Sequence, residues 1–372
     1  MPIEARTQLH EIRQRRGISA ARLADLAGIS RQTVYAIEAG NYIPNTAVAL
    51  HLAKLLEVQV EDLFQIEVDP PKPPKPVNID LIAPGAAKGQ PVQLCRVGKR
   101  LIGIPATPQP VLPIADGVIV DASRRSLQAE VQLLSEAIED HKRLLIAGCD
   151  PGISLLAHQL GRSHDIDVIV APSTSRQALD WLKDGKVHVA GTHLRDSSSG
   201  EYNLPAIQSL FPDRSVKVVT FAIWEQGLVF QAANPKHIRG VADLALARVR
   251  IINREQGAGS RELLDDKLRE AGIRPDQVNG YDRVALGHLP AALAVSRGEA
   301  DCCIATRSAA RAFGLSFLPL ATERYDLVVR RTFAKLPAVE ALLDTLNRSA
   351  LRRKLELLAG YDTSHTGEIL LH

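Results

Sequence analysis

Apolar positions recur at two different spacings along this chain, and the change of spacing divides it. Up to about residue 67 the spacing is helical. Residues 4–16 predict a first helix, ended by Gly17. Ser19 is placed to cap a second, AARLADLAG, with Leu23 and Leu26 facing inward. Gly28 supplies a tight turn, and Ser30 caps a third helix, RQTVYAIEAG, with Val34 and Ile37 inward. A fourth, Thr46 to Glu57, brings Val48, Leu52, Leu55 and Leu56 to the same core, and a last turn carries Leu63 and Phe64. Helix, glycine turn and helix of this length make a helix-turn-helix unit. From residue 143 the pattern alternates. RLLIAG, DIDVIVAP and KVHVAGTHL read as strands, with helices such as SRQALDWLKDG between them. Alternation of this kind predicts a parallel sheet covered on both faces.

Between these regions lies VDPPKPPKPVN, whose prolines favour an extended, stiff spacer. Short β-branched runs over 81–120 (PVQLCRVG, RLIGIP, DGVIV) predict a small β-rich segment. SLQAEVQLLSEAIEDHKR, residues 126–143, carries Leu127, Val131, Leu134 and Ile138 at helical spacing and predicts an amphipathic helix. Its apolar stripe is expected on its own domain rather than on a partner subunit. The division is therefore 1–67 helical domain, 68–80 proline-rich linker, 81–140 β-rich segment with connecting helix, and 141–372 α/β domain.

Composition narrows this only a little. A chain of 372 residues is too long for one ordinary core. Its 45% hydrophobic and 23% charged residues are those of a globular protein, and a net charge of +3 argues for no particular partner. Cys95, Cys149, Cys302 and Cys303 show no CxxC spacing and predict reduced, mostly buried thiols, the adjacent pair in a core strand. The polar N-terminus carries no signal-peptide pattern, and no apolar run approaches the roughly 20 residues that span a bilayer. A cytoplasmic location is expected.

In a helix-turn-helix the second helix of the pair enters the DNA major groove. Here its first exposed residues are Arg31, Gln32, Thr33 and Tyr35. Arg pairs bidentately with guanine and Gln with adenine. Arg13, Arg15, Arg16, Arg22 and Lys54 are candidate phosphate contacts. The charges of residues 1–67 nearly cancel, so a plain helical bundle is not excluded on charge. The run LADLAGISRQTVYAIEAGNYIPNTAVALHLAKLLEVQVEDLF resembles the phage-repressor (Xre-type) helix-turn-helix family over nearly the whole domain. The resemblance implies double-stranded DNA as partner and a homodimer over two half-sites. Ala20 stands where the family often has a backbone-holding Gln.

Ligands of parallel α/β sheets bind at the carboxyl ends of strands. Those ends carry Cys149, Asp150 and Ser154, then Thr192 and His193, then Asn253 and the run Gly257 to Ser260. In VRIINREQGAGSRELLDDKL, Gly257 and Gly259 let the backbone approach a ligand, Ser260 adds a hydroxyl, and the following helix offers free N–H groups. On spacing alone an anion cradle and an ordinary capped strand–helix turn stand even. It is not a P-loop. His193 and His288 lack a third candidate at metal spacing, so no metal is assigned.

AGCDPGISLLA, AGTHLRDSSSGEYNLP, WEQGLVFQAANP, NREQGAGSRELLD and RGEADCCIA…FLPLATERYDLVV resemble the periplasmic-binding-protein-like domain over about residues 140–350. That domain occurs fused to helix-turn-helix regulators and to molybdopterin-biosynthesis proteins, and is related to molybdate-binding proteins. The resemblance implies a type II fold of two α/β lobes with ligand between them. By segment length the crossing strands fall near Phe221–Phe230 and Tyr325–Val329. The family usually shows NRQ and GSGTR; here Glu255 adds a negative charge beside the supposed anion site, and Ser260 keeps the hydroxyl. The whole is thus expected to be multidomain: an all-α helix-turn-helix domain plus an α/β two-lobed domain. The expected function is a one-component transcription regulator sensing an oxyanion such as molybdate or tungstate, with a small organic metabolite as the alternative. No other cofactor is expected. With no nucleophile elbow, paired carboxylates at motif spacing or metal set, an enzyme is not expected. A DNA-binding architectural protein with a degenerate binding domain is the remaining alternative.

Overall fold

The computed structural model describes residues 5–66, 75–107, 113–123, 125–135, 142–196 and 199–371. The chain divides into two compact units, Met1–Pro73 and Pro74–His372.

In the first unit, β1 (Ala5–Thr7) is followed by α1 (Leu9–Arg15), α2 (Ala20–Ala27), α3 (Arg31–Glu38), α4 (Thr46–Leu56), α5 (Val60–Leu63) and β2 (Phe64–Ile66). Local chemistry sets the helix starts. Ser19 Oγ accepts from the Arg22 N–H at 3.2 Å, Ser30 Oγ from the Thr33 N–H at 3.0 Å and Asn45 Oδ1 from the Val48 N–H at 3.0 Å. Leu9, Leu23, Val34, Ile37, Leu52, Leu56 and Leu63 form the core. Leu26, expected inward, is exposed; the buried stripe of α2 runs through Leu23, Ala24 and Ala27. The domain is also not wholly helical. The first helix starts at Leu9 rather than residue 4, because Ala5–Thr7 pair antiparallel with Phe64–Ile66, and the Gln8 N–H donates to the Leu63 carbonyl at 2.9 Å. Such long-range pairing leaves no mark on helical spacing.

The second unit opens with a closed barrel: β3 (Val77–Leu81), β4 (Pro91–Val97), β5 (Arg100–Pro105), β6 (Gly117–Ala122) and β7 (Gln128–Leu133), in the order β3-β5-β4-β6-β7. Residues 77–80, assigned to the linker by sequence, belong to β3, whereas residues 67–74 lie outside the described residues. The expected amphipathic helix is a strand over Gln128–Leu133, with Ala129 and Val131 buried inside the barrel. The same residues fit both spacings, and pairing with β3 and β6 selects the alternating one. Residues 136–141, including Ile138, lie outside the described residues. The barrel packs on the first lobe through Ile82, Cys95, Val97 and Ile102 against Leu145, Leu179 and Leu182. Arg143 ties the two together, donating to the Leu94 carbonyl and to Asp116, each at 2.8 Å.

The remainder is β8 (Arg143–Gly148), α6 (Ile153–His164), β9 (Asp167–Pro172), α7 (Ser175–Lys183), β10 (Val189–Thr192), α8 (Leu204–Leu210), β11 (Val216–Phe230), β12 (Ile251–Arg254), α9 (Gly259–Glu270), β13 (Val284–Ala285), α10 (His288–Ser296), β14 (Cys302–Thr306), α11 (Arg307–Ala312), β15 (Ser316–Arg330), α12 (Pro337–Leu346), α13 (Ser349–Lys354) and β16 (Ile369–Leu371). The sheet order is β13-β12-β14-β11-β15-β10-β8-β9, with β16 on β11. Two parallel sets, β8/β9/β10 and β12/β13/β14, are joined by the long antiparallel pair β11 and β15. Val216 pairs with Arg330 at one end and Phe230 with Ser316 at the other, so both strands cross between two lobes, as expected near Phe221–Phe230 and Tyr325–Val329. Separate cores fill each lobe, around Leu144, Ile146, Leu156 and Leu342 in the first and Ile251, Leu264, Ala291 and Val295 in the second. Among the described residues no helix is long and apolar enough to cross a membrane.

Candidate functional site between two lobes

The carboxyl ends of β8, β10 and β12 and the middles of β11 and β15 meet between the lobes. Tyr325 lies across this junction: a Cβ on Gly191 would sit 2.1 Å from its hydroxyl oxygen, and that oxygen accepts from the Cys149 N–H at 3.3 Å. A glycine in β10 is therefore required for the phenol to reach Cys149. Gly259 does the same from the other lobe. A Cβ there would fall 2.6 Å from His193 Cε1, so the start of α9 closes directly on the imidazole.

His193 is the hub. Its Nε2 lies 3.3 Å from Cys149 Sγ and its Nδ1 2.8 Å from Glu323 Oε2. Gln226 Nε2 donates to the same carboxylate oxygen at 2.5 Å, and the Ser260 hydroxyl donates to Gln226 Oε1. One chain of contacts thus runs from Cys149 in the first lobe to Ser260 in the second. Burial works against the imidazolium, but the charge of the Cys149 sulfur and the hydrogen bonds the imidazolium donates to Cys149 and Glu323 outweigh it and hold His193 at about 10. Asp150 Oδ1 accepts from the Gly152 N–H at 2.7 Å and from the Tyr361 hydroxyl at 2.5 Å, while Oδ2 has no partner among the described residues. Burial raises this carboxyl to about 6 despite those bonds and the charge of His193.

Trp224 forms the wall, with ring centroids 5.0 Å from Tyr325, 5.1 Å from His193 and 5.4 Å from His288. Its Nε1 is buried without a partner among the described residues, as are both ring nitrogens of His288. Burial, and then the charges of Arg254 and His193, keep His288 well below its usual range. Arg254 is 2% exposed; Nε and Nη2 both donate to Glu255 at 2.9 Å, and Nη1 is buried and unsatisfied. The pair neutralises Glu255, whose pKa falls because hydrogen bonding and charge from Arg254 outweigh its burial.

Cys149, Asp150, His193, Gly259 and Ser260 are therefore brought together. Four expected residues are not. Ser154 is exposed and its hydroxyl donates to its own turn, at the Pro151 carbonyl, 2.7 Å. Thr192 is buried but faces Asn203, 3.2 Å away, which in turn donates to Asp326. The Asn253 side chain is consumed by the Tyr281 carbonyl and the Arg254 N–H. Gly257, at φ +81°, lines an open cavity of about 610 Å³ at the rim with Ile82, Arg176, Trp181 and Lys186. Sequence reasoning missed Arg254, Trp224, Gln226, Glu323 and Tyr325. Arg254 was signalled only by its place in the Asn253-Arg254-Glu255 motif; the others sit on crossing strands read as scaffold. The missing third group beside His193 and His288 is Cys149: one ligand atom from each lies within 4.8 Å of the others. No spacing rule finds it, because three separate strand and helix ends supply the atoms.

On the first unit, Arg31, Gln32 and Tyr35 are exposed along α3. The Arg31 guanidinium packs 5.6 Å from the Tyr35 ring centroid and donates to its hydroxyl at 3.1 Å. Thr33 is half-buried, with its Oγ1 2.8 Å from Ser30 Oγ. Arg16 pairs with Glu57 at the surface, and Arg22 is exposed. Arg13, expected at a phosphate, is buried: it donates to Glu38 at 2.6 Å and to the Ile18 carbonyl at 2.9 Å, and so clamps α1 to α3.

The PBP superfamily domain matches residues 157–347. The chain belongs to the PBP superfamily. A helix-turn-helix domain matches residues 9–63. This PBP superfamily chain is 32% identical over 244 residues to the uncharacterized protein YvgK of Bacillus subtilis, covering 66% of this chain and 79% of that one. Its N-terminal part is 39% identical over 62 residues to the uncharacterized HTH-type transcriptional regulator YgzD of the same organism, covering 17% of this chain and 94% of YgzD. Among solved structures it is similar to the sulfate-binding protein SubI from Mycobacterium tuberculosis, with TM-score 0.46 and 21% identity over 59% of this chain and 86% of that one. It is also similar to a putative phosphate ABC transporter substrate-binding protein from Clostridium perfringens, with TM-score 0.45 and 10% identity over 58% of this chain and 98% of that one.

Proposed function

We propose that this protein is a one-component transcriptional regulator acting in the cytoplasm. Its helix-turn-helix binds double-stranded DNA, as a homodimer over two half-sites, and its PBP-superfamily domain senses a small anion between the lobes. The carrying observation is the surplus of buried donors there: Trp224 Nε1 and Arg254 Nη1 lack partners among the described residues, and the start of α9 closes on the His193 imidazolium. An unsatisfied buried polar group costs about 1–3 kcal/mol, and a helix N-terminus favours negative charge. An acceptor-rich oxyanion relieves both. Glu255, the sequence feature that argued against an anion, is already paired with Arg254. Molybdate or tungstate is the favoured ligand; each, like sulfate and unlike phosphate, is a fully ionised tetrahedral dianion with no proton to place. A small organic anion is the second reading, favoured by the aromatic wall of Trp224 and Tyr325. Because the ligand contacts both lobes, it biases the open–closed population, and the DNA-binding domains respond.

Thermal unfolding with molybdate, tungstate, sulfate, phosphate or no addition tests this. A ligand at a hundred times its Kd stabilises by about 2.7 kcal/mol. A selective shift with molybdate or tungstate, followed by ligand-dependent operator binding, is the expected result. No shift with any of the four removes the oxyanion and turns the search to organic anions.

A further inference from the structure

We propose that Cys149, His193 and His288 bind one thiophilic divalent cation of the zinc kind between the lobes, with a fourth coordination position left open. The end of β8 supplies Cys149 and the end of β10 supplies His193, both in the first lobe. The first turn of α10 supplies His288 from the second. One ligand atom from each lies within 4.8 Å of the others, and Cys149 Sγ is 3.3 Å from His193 Nε2.

An independent observation points to an occupant. His288 is 1% exposed, yet neither ring nitrogen has a partner among the described residues. A buried imidazole without a hydrogen bond is costly, and a metal bond satisfies one of its two nitrogens. His193 is already oriented as a ligand. Its Nδ1 is held by Glu323, and Glu323 is held by Gln226, which leaves Nε2 directed at Cys149. Carboxylate–histidine–metal triads have this arrangement. Coordination requires the thiol and Nε2 to release the proton they share to solvent, leaving a thiolate and two neutral imidazoles. The thiolate and the nearby Glu323 and Asp150 offset the dication, while the charge of Arg254 is paired with Glu255. One sulfur and two nitrogens suit zinc, cobalt or nickel and not magnesium or calcium.

Two ligands in one lobe and one in the other make the cation a clasp on the closed cleft. The proposal stands whichever anion the cleft takes; an anion would fill the open position.

The test uses full-length protein stripped with EDTA under a reducing agent and titrated with Co²⁺. One Co²⁺ per chain is expected, with a near-ultraviolet thiolate-to-cobalt band and the visible bands of a tetrahedral site, both bleached by Zn²⁺. Cys149→Ser abolishes the near-ultraviolet band. His288→Gln weakens Co²⁺ affinity at least tenfold, and Glu323→Gln weakens it about 10- to 100-fold. Metal-free unfolding scans establish that each variant folds; if Cys149→Ser does not, His288→Gln decides alone. Absence of uptake at millimolar Co²⁺ overturns the proposal. So does a band that survives unchanged in the variants that fold, since the thiolate then belongs to Cys95, Cys302 or Cys303. Molybdate scans in EDTA and with Zn²⁺ report separately on the anion: a shift in EDTA without a cobalt band sinks the metal alone, and a cobalt band without a shift in either scan sinks the anion alone.

Discussion

The recognition face of α3 and the cleft between the lobes handle charge in opposite ways. On α3, Arg31 and Gln32 stand in solvent, their only described partner being the neighbouring Tyr35. In the cleft, Arg254, His193, Asp150 and Glu323 are all buried, and each ion is answered by a hydrogen bond or another charge. Residues on the exposed face can change at little cost in stability. The buried site cannot: its polar groups are also part of its core, and changing one should move folding together with any ligand affinity.

The largest expected effect follows from that. Arg254→Met leaves Glu255 half-buried without its cation and should destabilise the second unit by about 3 kcal/mol or more, and it should abolish any anion-induced shift in melting temperature. Denaturant unfolding with and without ligand measures both. A variant with wild-type stability would break the claim that binding and core are shared.

Next is the pH dependence set by His188. It is 3% exposed, its Nδ1 accepts from the Leu145 N–H at 3.1 Å, and burial lowers its pKa from 6.5 to about 4. The unfolded state binds the extra proton between those values. The contribution of His188 is therefore complete above pH 6.5 and is lost as pH falls through 6.5 toward 4, on the order of 3 kcal/mol in all. Asp150, raised to about 6, acts in the opposite sense as pH falls, so the measurement is the difference in unfolding free energy between the protein and His188→Gln across that window. A difference independent of pH would overturn the assignment.

Smaller effects belong to α3. Arg31→Ala should weaken operator binding by about 1–3 kcal/mol and relax sequence preference at one base pair, with folding unchanged. Binding to operator variants separates this from a general loss. The smallest is Arg16→Ala, whose ion pair with Glu57 at 3.3 Å is exposed on both sides. Stability should change by less than about 1 kcal/mol, and the salt dependence of DNA binding should fall by about one counterion.

These differences track how much could be read from residue order. Ser19, Ser30 and Asn45 cap helices through N–H groups three residues away, so the information is local and the helices fall where expected. The alternation after residue 143 and the length of the crossing segments were legible for the same reason. Residues 126–143 failed because Leu127, Val131 and Leu134 satisfy a helical spacing while Ala129, Val131 and Leu133 satisfy an alternating one. The barrel partners chose between them. Ser154 and Asp150 show a finer limit. Both follow β8, yet one turn of chain directs Asp150 into the cleft and Ser154 into solvent.

By itself the sequence determined the two kinds of architecture, the helix starts of the first unit, and the strand ends at which chemistry would gather. Those depend on spacing and on contacts within a few residues. Only the tertiary structure decided that Arg13 is buried as a clamp between α1 and α3. It alone turned Arg254 inward against Glu255 and set Cys149, His193 and His288 within reach of one another. The first and last of these outcomes join residues far apart in the chain, and in all three burial, by removing water as the alternative partner, determines what each charged group must meet.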